Sequence, residues 1–350
     1  MKDISQYLIN SDATIKEALF KINELSGDIL TLFVVNNDNV VIGALTDGDI
    51  RRGFLKGKTL EDKVIHFIPE SFYYFNKNNL DLQLIKEIRE AQIKLVPFLD
   101  DNGRIVKIYE FINRKSILPI DAVIMAGGRG EKLRPLTDKI PKPMLKVGDK
   151  PIIEHNIDNL MRHGIDNYYI TVNYLAEQII DYFGDGNKKG INISYVRETK
   201  SLGTIGSVSL INEFKNDTVL VMNSDLFTNI NFEDFYLDFI NKKADLAVAS
   251  IPYNVSIPYA VLKLQDDIIS SFEEKPTYTY YANAGIYLMK KTVLEIIPKN
   301  DSFNATDLIK VLIDKGHKVI KYPIVGFWVD IGRHEDYNKV QEFIKHLGNS

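Results

Sequence analysis

Cysteine is missing from this 350-residue chain, so disulfides and thiolate metal sites are excluded. Long apolar runs are missing too: none approaches the ~18 residues that a membrane-spanning helix needs. The opening Met1-Lys-Asp-Ile-Ser-Gln6 carries no apolar signal core. A net charge of -4, with basic residues dispersed outside one glycine-rich loop, offers no footprint for nucleic acid. These absences lead to the expectation of a cytoplasmic protein with neither a membrane nor a nucleic acid as partner. Two well-known phosphate loops are lacking as well. No Gly-x-x-x-x-Gly-Lys-Ser/Thr occurs, and in Gly128-x-Gly130-x-x-Leu133 a leucine stands where the dinucleotide fingerprint needs its third glycine.

What the chain does have is a different glycine loop at the end of an apolar strand. Asp121-Ala-Val-Ile-Met125 reads as a buried strand. Ala126-Gly-Gly-Arg-Gly-Glu-Lys-Leu-Arg-Pro-Leu-Thr137 follows directly, and the segment closes with Pro141-Lys-Pro-Met144. Glycines at such a place let backbone N–H groups approach a phosphate with no Cβ in the way. Lys132, Arg134, Lys139 and Lys142 crowd positive charge around the loop, as a polyphosphate requires. The pattern closely resembles the signature of sugar-1-phosphate nucleotidyltransferases, Gly-Gly-x-Gly-Thr-Arg-Leu-x-Pro-Leu-Thr followed by Pro-Lys-Pro. Glu131 and Lys132 stand where that family usually has Thr and Arg.

The length favours two domains, taken as residues 1–118 and 119–350 with Ser116 to Ile120 as a short linker. The first carries a diverged repeat: Val35 to Gly43 aligns with Leu99 to Lys107, each copy reading as strand, polar turn, strand after an amphipathic helical segment, Ile15 to Leu25 or Leu82 to Ala91. Neither copy can bury its apolar face alone, so the two should pack together. This half resembles a tandem CBS pair, with Gly43-Ala-Leu-Thr-Asp-Gly-Asp-Ile-Arg51 as the end of a CBS motif. The resemblance implies that Thr46 and Asp49 hold the ribose of an adenine nucleotide, and that the chain forms a homo-oligomer. Thr46 and Asp49 also suit a plain helix cap. Glu110 and Asn113 occupy the equivalent places in the second copy, which leaves one intact site.

The second half alternates strands and helices, which argues for an α/β fold with a mainly parallel sheet covered on both faces, Rossmann-like in type. Ligands of such sheets sit beyond the carboxyl ends of the strands, where the glycine loop and Asp225 both fall. A helix is expected from about Gly203 to Phe214. The family resemblance implies a nucleotide-diphospho-sugar transferase fold and assigns roles to residues that match its motifs. Asp225, after Asn223-Ser224, and Asp330, in Phe327-Trp-Val-Asp-Ile-Gly332, match the two carboxylates that hold Mg²⁺. Gly127, Gly128, Gly130, Gly203 and Glu198 would contact the nucleotide. Glu274 and Lys275 of Glu274-Lys-Pro276, with Asn283 of Asn283-Ala-Gly-Ile-Tyr287, would contact the sugar phosphate. Lys132 and Lys142 would stabilise the phosphates during reaction.

The implied reaction joins a nucleoside triphosphate to a sugar 1-phosphate and releases pyrophosphate. A carboxylate accepts two adjacent N–H bonds, which guanine offers and uracil or thymine does not, so Glu198 points toward GTP; a surface ion pair with Arg197 or Lys200 is the alternative for it. The expected sugar is mannose 1-phosphate or glucosamine 1-phosphate. Two alternatives stay open: a thymidylyl- or uridylyltransferase acting on glucose 1-phosphate, and a catalytically weak CBS-linked nucleotide sensor.

Overall fold

A computed structural model describes residues 3–25, 30–112 and 114–347. They fall into two compact units, Met1–Ile117 and Leu118–Ser350. Among the described residues no helix is long and apolar enough to cross a membrane.

In the first unit, one copy of the repeat runs β1 (Leu8–Asn10), α1 (Ile15–Glu24), β2 (Thr31–Val35), β3 (Val41–Thr46) and α2 (Asp47–Leu55). Both helices open on a capping box, Thr14 with Glu17 and Thr46 with Asp49, which satisfies amides that a helix start leaves free. The other copy has α3 (Leu82–Glu90), β4 (Leu95–Leu99) and β5 (Ile105–Glu110), and a parallel bridge from Phe75 to Phe98 takes the place of β1. The irregularity in each hairpin falls at Val34/Val35 and at Phe98/Leu99, the same 64-residue offset (99 − 35) that relates the sequences. Tyr7, Phe33, Val35 and Val41 bury themselves against Leu95 and Leu99, so the copies do share a core. The second copy is shorter. No helix follows β5 among the described residues, Glu110 simply ends that strand, and Asn113 lies outside the described residues.

The second unit contains β6 (Ile120–Ala126), β7 (Lys146–Val147), β8 (Lys150–Pro151), α4 (Ile152–Arg162), β9 (Asn167–Val172), α5 (Ala176–Phe183) and β10 (Asn192–Arg197). It continues through β11 (Thr218–Asn223), β12 (Leu226–Thr228), α6 (Phe232–Asn241), β13 (Leu246–Ser256), β14 (Val261–Gln265), β15 (Ile268–Glu273) and β16 (Thr277–Lys290). It ends with α7 (Ala305–Asp314), β17 (Val319–Pro323), β18 (Trp328–Asp330) and α8 (His334–Leu347). Seven strands form one sheet in the order β10-β9-β6-β11-β16-β13-β17, with β16 alone antiparallel to its neighbours. The nearly continuous apolar runs of β6 and β11 are buried on both faces, as central parallel strands require.

One expectation needs correction. Between Gly203 and Phe214 there is only a one-and-a-half-turn 3₁₀ segment, Gly206–Leu210. Gly203 has φ +77° and Ile205 φ -143°, both outside the right-handed helical region. Phe303 N–H takes the Leu202 carbonyl at 2.9 Å, the acceptor a helix would give to Gly206, while the amides of Ile205 and Gly206 donate to the Phe303 carbonyl at 3.1 Å. The division between the units, Ile117/Leu118, falls inside the Ser116–Ile120 stretch read as a short linker. Ser116, Ile117 and Leu118 are buried, Ile117 joins a core cluster of the first unit, and Leu118 N–H donates to the His163 carbonyl in the second.

Candidate active site

Parallel strands β6 and β11 end side by side, and the loops after them meet: Ser224 N–H donates to the Met125 carbonyl at 3.2 Å. The cleft beyond these ends has a volume of about 480 Å³ and is lined by Gly127, Gly128, Arg129, Lys142, Glu198, Gly203 and Asp225. The glycine loop is bent back on the Pro141–Met144 segment. Gly130 has φ +65°, and a Cβ there would lie 2.9 Å from Lys142 Cβ and 3.0 Å from Thr137 Cγ2, while Thr137 Oγ1 donates to the Gly130 carbonyl at 2.8 Å. A Cβ on Gly127 would meet Glu198 Oε1 at 2.9 Å, whereas one on Gly128 would meet nothing within 4 Å. Gly128 therefore answers to no packing constraint of the protein itself and faces open space in the cleft.

Asp330 is brought beside Asp225 and Lys142, at the edge of the cleft they line, by register. Strand β18 pairs with β12 so that Asp330 lies opposite Leu226, and Ile331 N–H donates to the Asp225 carbonyl at 3.1 Å. Lys142 Nζ bonds Asp225 Oδ2 and lies 3.8 Å from Asp330 Oδ1. Partial burial, followed by the neighbouring Asp225 charge, pushes the Asp330 carboxyl above the ordinary range, with Lys142 and Lys132 pulling the other way. Asp225 Oδ1 is buried with no hydrogen-bond partner. An orphaned carboxylate oxygen beside a second carboxylate fits a hard cation such as Mg²⁺. No group of three or more His, Cys, Asp or Glu stands together among the described residues, so such an ion would complete its shell with substrate phosphates and water.

Glu198 is half-buried in the cleft wall. Its neighbour Arg197 pairs with Glu177 at 2.7 Å, so the surface ion pair open to Glu198 on sequence grounds does not form with Arg197. Burial pushes its carboxyl up, against the hydroxyls of Ser207 and Thr171 and the Leu202 backbone, which favour the ionised form. Lys132 sits exposed in the 3₁₀ turn Glu131–Leu133 and its charge acts on Asp330. Of the two arginines able to take over from it, Arg129 lines the cleft, whereas Arg134 lies 3.4 Å from Asp138.

The residues matched to sugar-phosphate binding are not drawn into this cleft. Glu274 and Lys275 are exposed between β15 and β16. Asn283 on β16 donates to Tyr287 OH at 2.8 Å and accepts from Gly285 N–H at 2.9 Å. Trp328 donates to the Ala284 carbonyl at 2.9 Å, a packing role. Sequence reasoning passed over Asn173, Thr204 and Asn223, all in the cleft lining. The strand-end rule that picked out Asp225 also covers Asn173, which follows β9, and Asn223, which ends β11.

In the first unit, Thr46 and Asp49 are a helix cap. Asp49 is 8% exposed; its Oδ2 accepts from Thr46 N–H at 2.9 Å and from the Thr46 hydroxyl, and its Oδ1 from Arg52 at 2.5 Å.

Residues 121–346 match the family model for the nucleotidyl transferases. The chain belongs to the nucleotidyl transferase family. Residues 3–56 match the CBS domain model, which is the copy of the repeat that keeps its trailing helix. The bifunctional protein GlmU of Methanocaldococcus jannaschii is 34% identical over 64% of this chain and 54% of its own length. A UTP–glucose-1-phosphate uridylyltransferase of Synechocystis is 31% identical over 62% of the chain and 61% of its own. The D-glycero-α-D-manno-heptose 1-phosphate guanylyltransferase of Aneurinibacillus thermoaerophilus is 29% identical over 65% of the chain and 99% of its own. The chain thus spans only about half to six-tenths of the first two of these relatives. Among solved structures, HddC from Yersinia pseudotuberculosis, complexed with GMP-PN, matches 64% of the chain and 99% of its own with 25% identity and a TM-score of 0.51.

Two substitutions separate the structural glycine from the one that faces the cleft. Gly130→Ala should cost stability, because its φ disfavours a side chain and Lys142 blocks the Cβ, by about 1 kcal/mol or more in urea unfolding. Gly128→Ala should leave the unfolding midpoint unchanged and weaken triphosphate binding. Glu198→Gln tests the raised carboxyl. A group whose folded pKa lies above its unfolded value loses stability as pH rises through the folded pKa. The Gln variant should therefore match the wild type near pH ~4 and melt at a higher temperature than it by pH ~7, read in paired thermal melts.

Proposed function

We propose that this chain transfers a nucleoside monophosphate from a nucleoside triphosphate to a hexose or hexosamine 1-phosphate. A phosphate oxygen of the sugar 1-phosphate attacks the α-phosphorus, the bond to the bridging α,β-oxygen breaks, and pyrophosphate leaves. The observation that carries this reading is Lys142, held against Asp225 and near Asp330 at the mouth of a glycine loop whose Gly128 is open to the cleft. The nucleophile is already anionic, so no general base is needed, and no histidine lines the cleft. Catalysis is then positioning and charge stabilisation.

The backbone at Gly127, Gly128 and Gly130 donates to the triphosphate. Lys142 gives up its carboxylate to draw the two phosphate groups together, and Lys132 supports the departing pyrophosphate as a point charge, with Arg129 the nearest candidate for a forked contact. Mg²⁺ bound by Asp225 and Asp330 supplies neutralisation of phosphate charge. Gly203 lies beside the base, and Glu274, Lys275 and Asn283 serve the sugar phosphate.

For the nucleotide we take GTP, with mannose 1-phosphate or glucosamine 1-phosphate as acceptor. Supporting it are Glu198, set in the cleft wall with two hydroxyls about its carboxyl, the guanylyltransferase relative, and GMP-PN in the HddC structure. The uridylyltransferase relative supports the competing choice of UTP or dTTP with glucose 1-phosphate. An adenine nucleotide at Thr46 and Asp49 would have to share an Asp49 carboxylate already bonded to Thr46 and Arg52.

Pyrophosphate release with Mg²⁺, measured across GTP, CTP, UTP, dTTP and ATP with a panel of hexose and hexosamine 1-phosphates, tests the reaction. Release with GTP and one of the two favoured sugars is the expected result; silence from folded protein that still binds nucleotide moves the weight to the sensor alternative. In the same assay Lys132→Ala should lower turnover ~100-fold or more with an unchanged melting temperature, since the side chain is exposed. Near-normal turnover removes Lys132 from the scheme.

A further inference from the structure

From Ile251 to Asn283 no residue is buried, although the stretch is rich in aromatic and aliphatic side chains. It forms an arm of two ribbons. Beyond Ser250, strand β13 has left β17 and pairs with β16 alone, from Ile251 opposite Ala282 to Ser256 opposite Thr277. Between these strands β14 and β15 form a second ribbon with no other neighbour. Two-stranded ribbons without a core are at best marginally stable in water, and both present unpaired edges.

The faces are sorted. On the β14–β15 ribbon Leu262 lies opposite Phe272 and Leu264 opposite Ile269, and these four are 51, 64, 61 and 57% exposed. The charged pair Lys263–Glu273 belongs to the other face. On the β13–β16 ribbon Tyr253 lies opposite Tyr280, at 61% and 60% exposure. An aromatic side chain carries about 150–250 Å², so Tyr253, Phe272 and Tyr280 alone leave on the order of 350 Å² open. With the aliphatic residues the arm approaches the ~800 Å² that each partner brings to a standard interface.

We propose that two copies of this chain associate through residues 251–283, apolar face to apolar face. Identical amphipathic ribbons about a two-fold axis are self-complementary. Lys263 and Glu273, on the opposite face of β14–β15 with Glu273 accepting from Tyr278 OH at 2.9 Å, stay out of the Leu262–Phe272 and Leu264–Ile269 face. The contact also steadies the turn carrying Glu274 and Lys275, a consequence that rests on the sugar-phosphate role proposed above; the association does not.

Sedimentation equilibrium of the full chain provides the test. The wild type should run at twice its 40.0 kDa mass, and Leu264→Glu with Ile269→Glu should run as a folded monomer at the same concentration. Leu55→Glu, at an 88% exposed site of the first unit, should not alter the dimer. Should the Glu pair impair folding, Tyr253→Ser with Tyr280→Ser probes the other ribbon. A wild-type monomer at tens of micromolar, a dimer unmoved by either pair, or dissociation by Leu55→Glu overturns the proposal. In the monomer KM for the sugar 1-phosphate should rise several-fold with nucleotide affinity unchanged; an unchanged KM removes the coupling to Glu274 and Lys275 while leaving the interface standing.

Discussion

Two carboxylates, Asp225 in the cleft lining and Asp330 beside it, meet at Lys142, and their mutual repulsion is the constraint on which the site depends. Asp225 and Asp330 lie more than a hundred residues apart in sequence and meet because a three-residue ribbon, β12 with β18, fixes their register. Like charges at close range need a cation between or beside them. Lys142 supplies one, and the bend at Gly130 keeps the segment carrying Lys142 against the loop. The unpaired Asp225 oxygen shows that one lysine does not satisfy the site. A site built this way is primed for a second cation and for anions that compete for the lysine.

The glycine loop divides its labour. Gly127 admits the Glu198 side chain, Gly130 admits Lys142 and Thr137, and Gly128 admits nothing that belongs to the protein. The polar wall around Glu198 is likewise assembled from different elements, with hydroxyls from β9 and from the 3₁₀ segment that replaces the expected helix. That replacement matters for function: the chain from Leu202 to Gly206 is anchored sideways to Phe303, which holds Gly203 and Thr204 at the cleft. An α-helix there would require a negative φ at Gly203, where the chain has +77°.

The two units follow different logics. In the first, two half-sized copies of one pattern complete each other's core, and the copy that lost its trailing helix also lost the Thr–Asp cap that the other retains. The second has a core complete enough to carry an uncovered arm, which a smaller domain could not do without loss of stability.

Much of this was legible in the residues. Nearly continuous apolar runs and their alternation with helical segments marked the parallel sheet, because strands buried on both faces must be apolar throughout. The repeat offset was readable in the sequence, and the hairpin irregularities follow it; the strand-end rule located the glycine loop and Asp225. The failed helix at Gly203 shows the limit: local pattern cannot see that Phe303, a hundred residues on, ties this stretch down in a non-helical path. That Thr46 and Asp49 cap a helix, a role compatible with holding a ligand, likewise became visible only with the bonds from Thr46 and Arg52 to the carboxylate. Chemistry-bearing residue types and their order along the chain were determined by sequence alone. Which of them share a cleft, which oxygen is left unpaired and which apolar face stays bare were decided by tertiary structure, since register and long-range hydrogen bonds depend on pairs of residues that no local window contains.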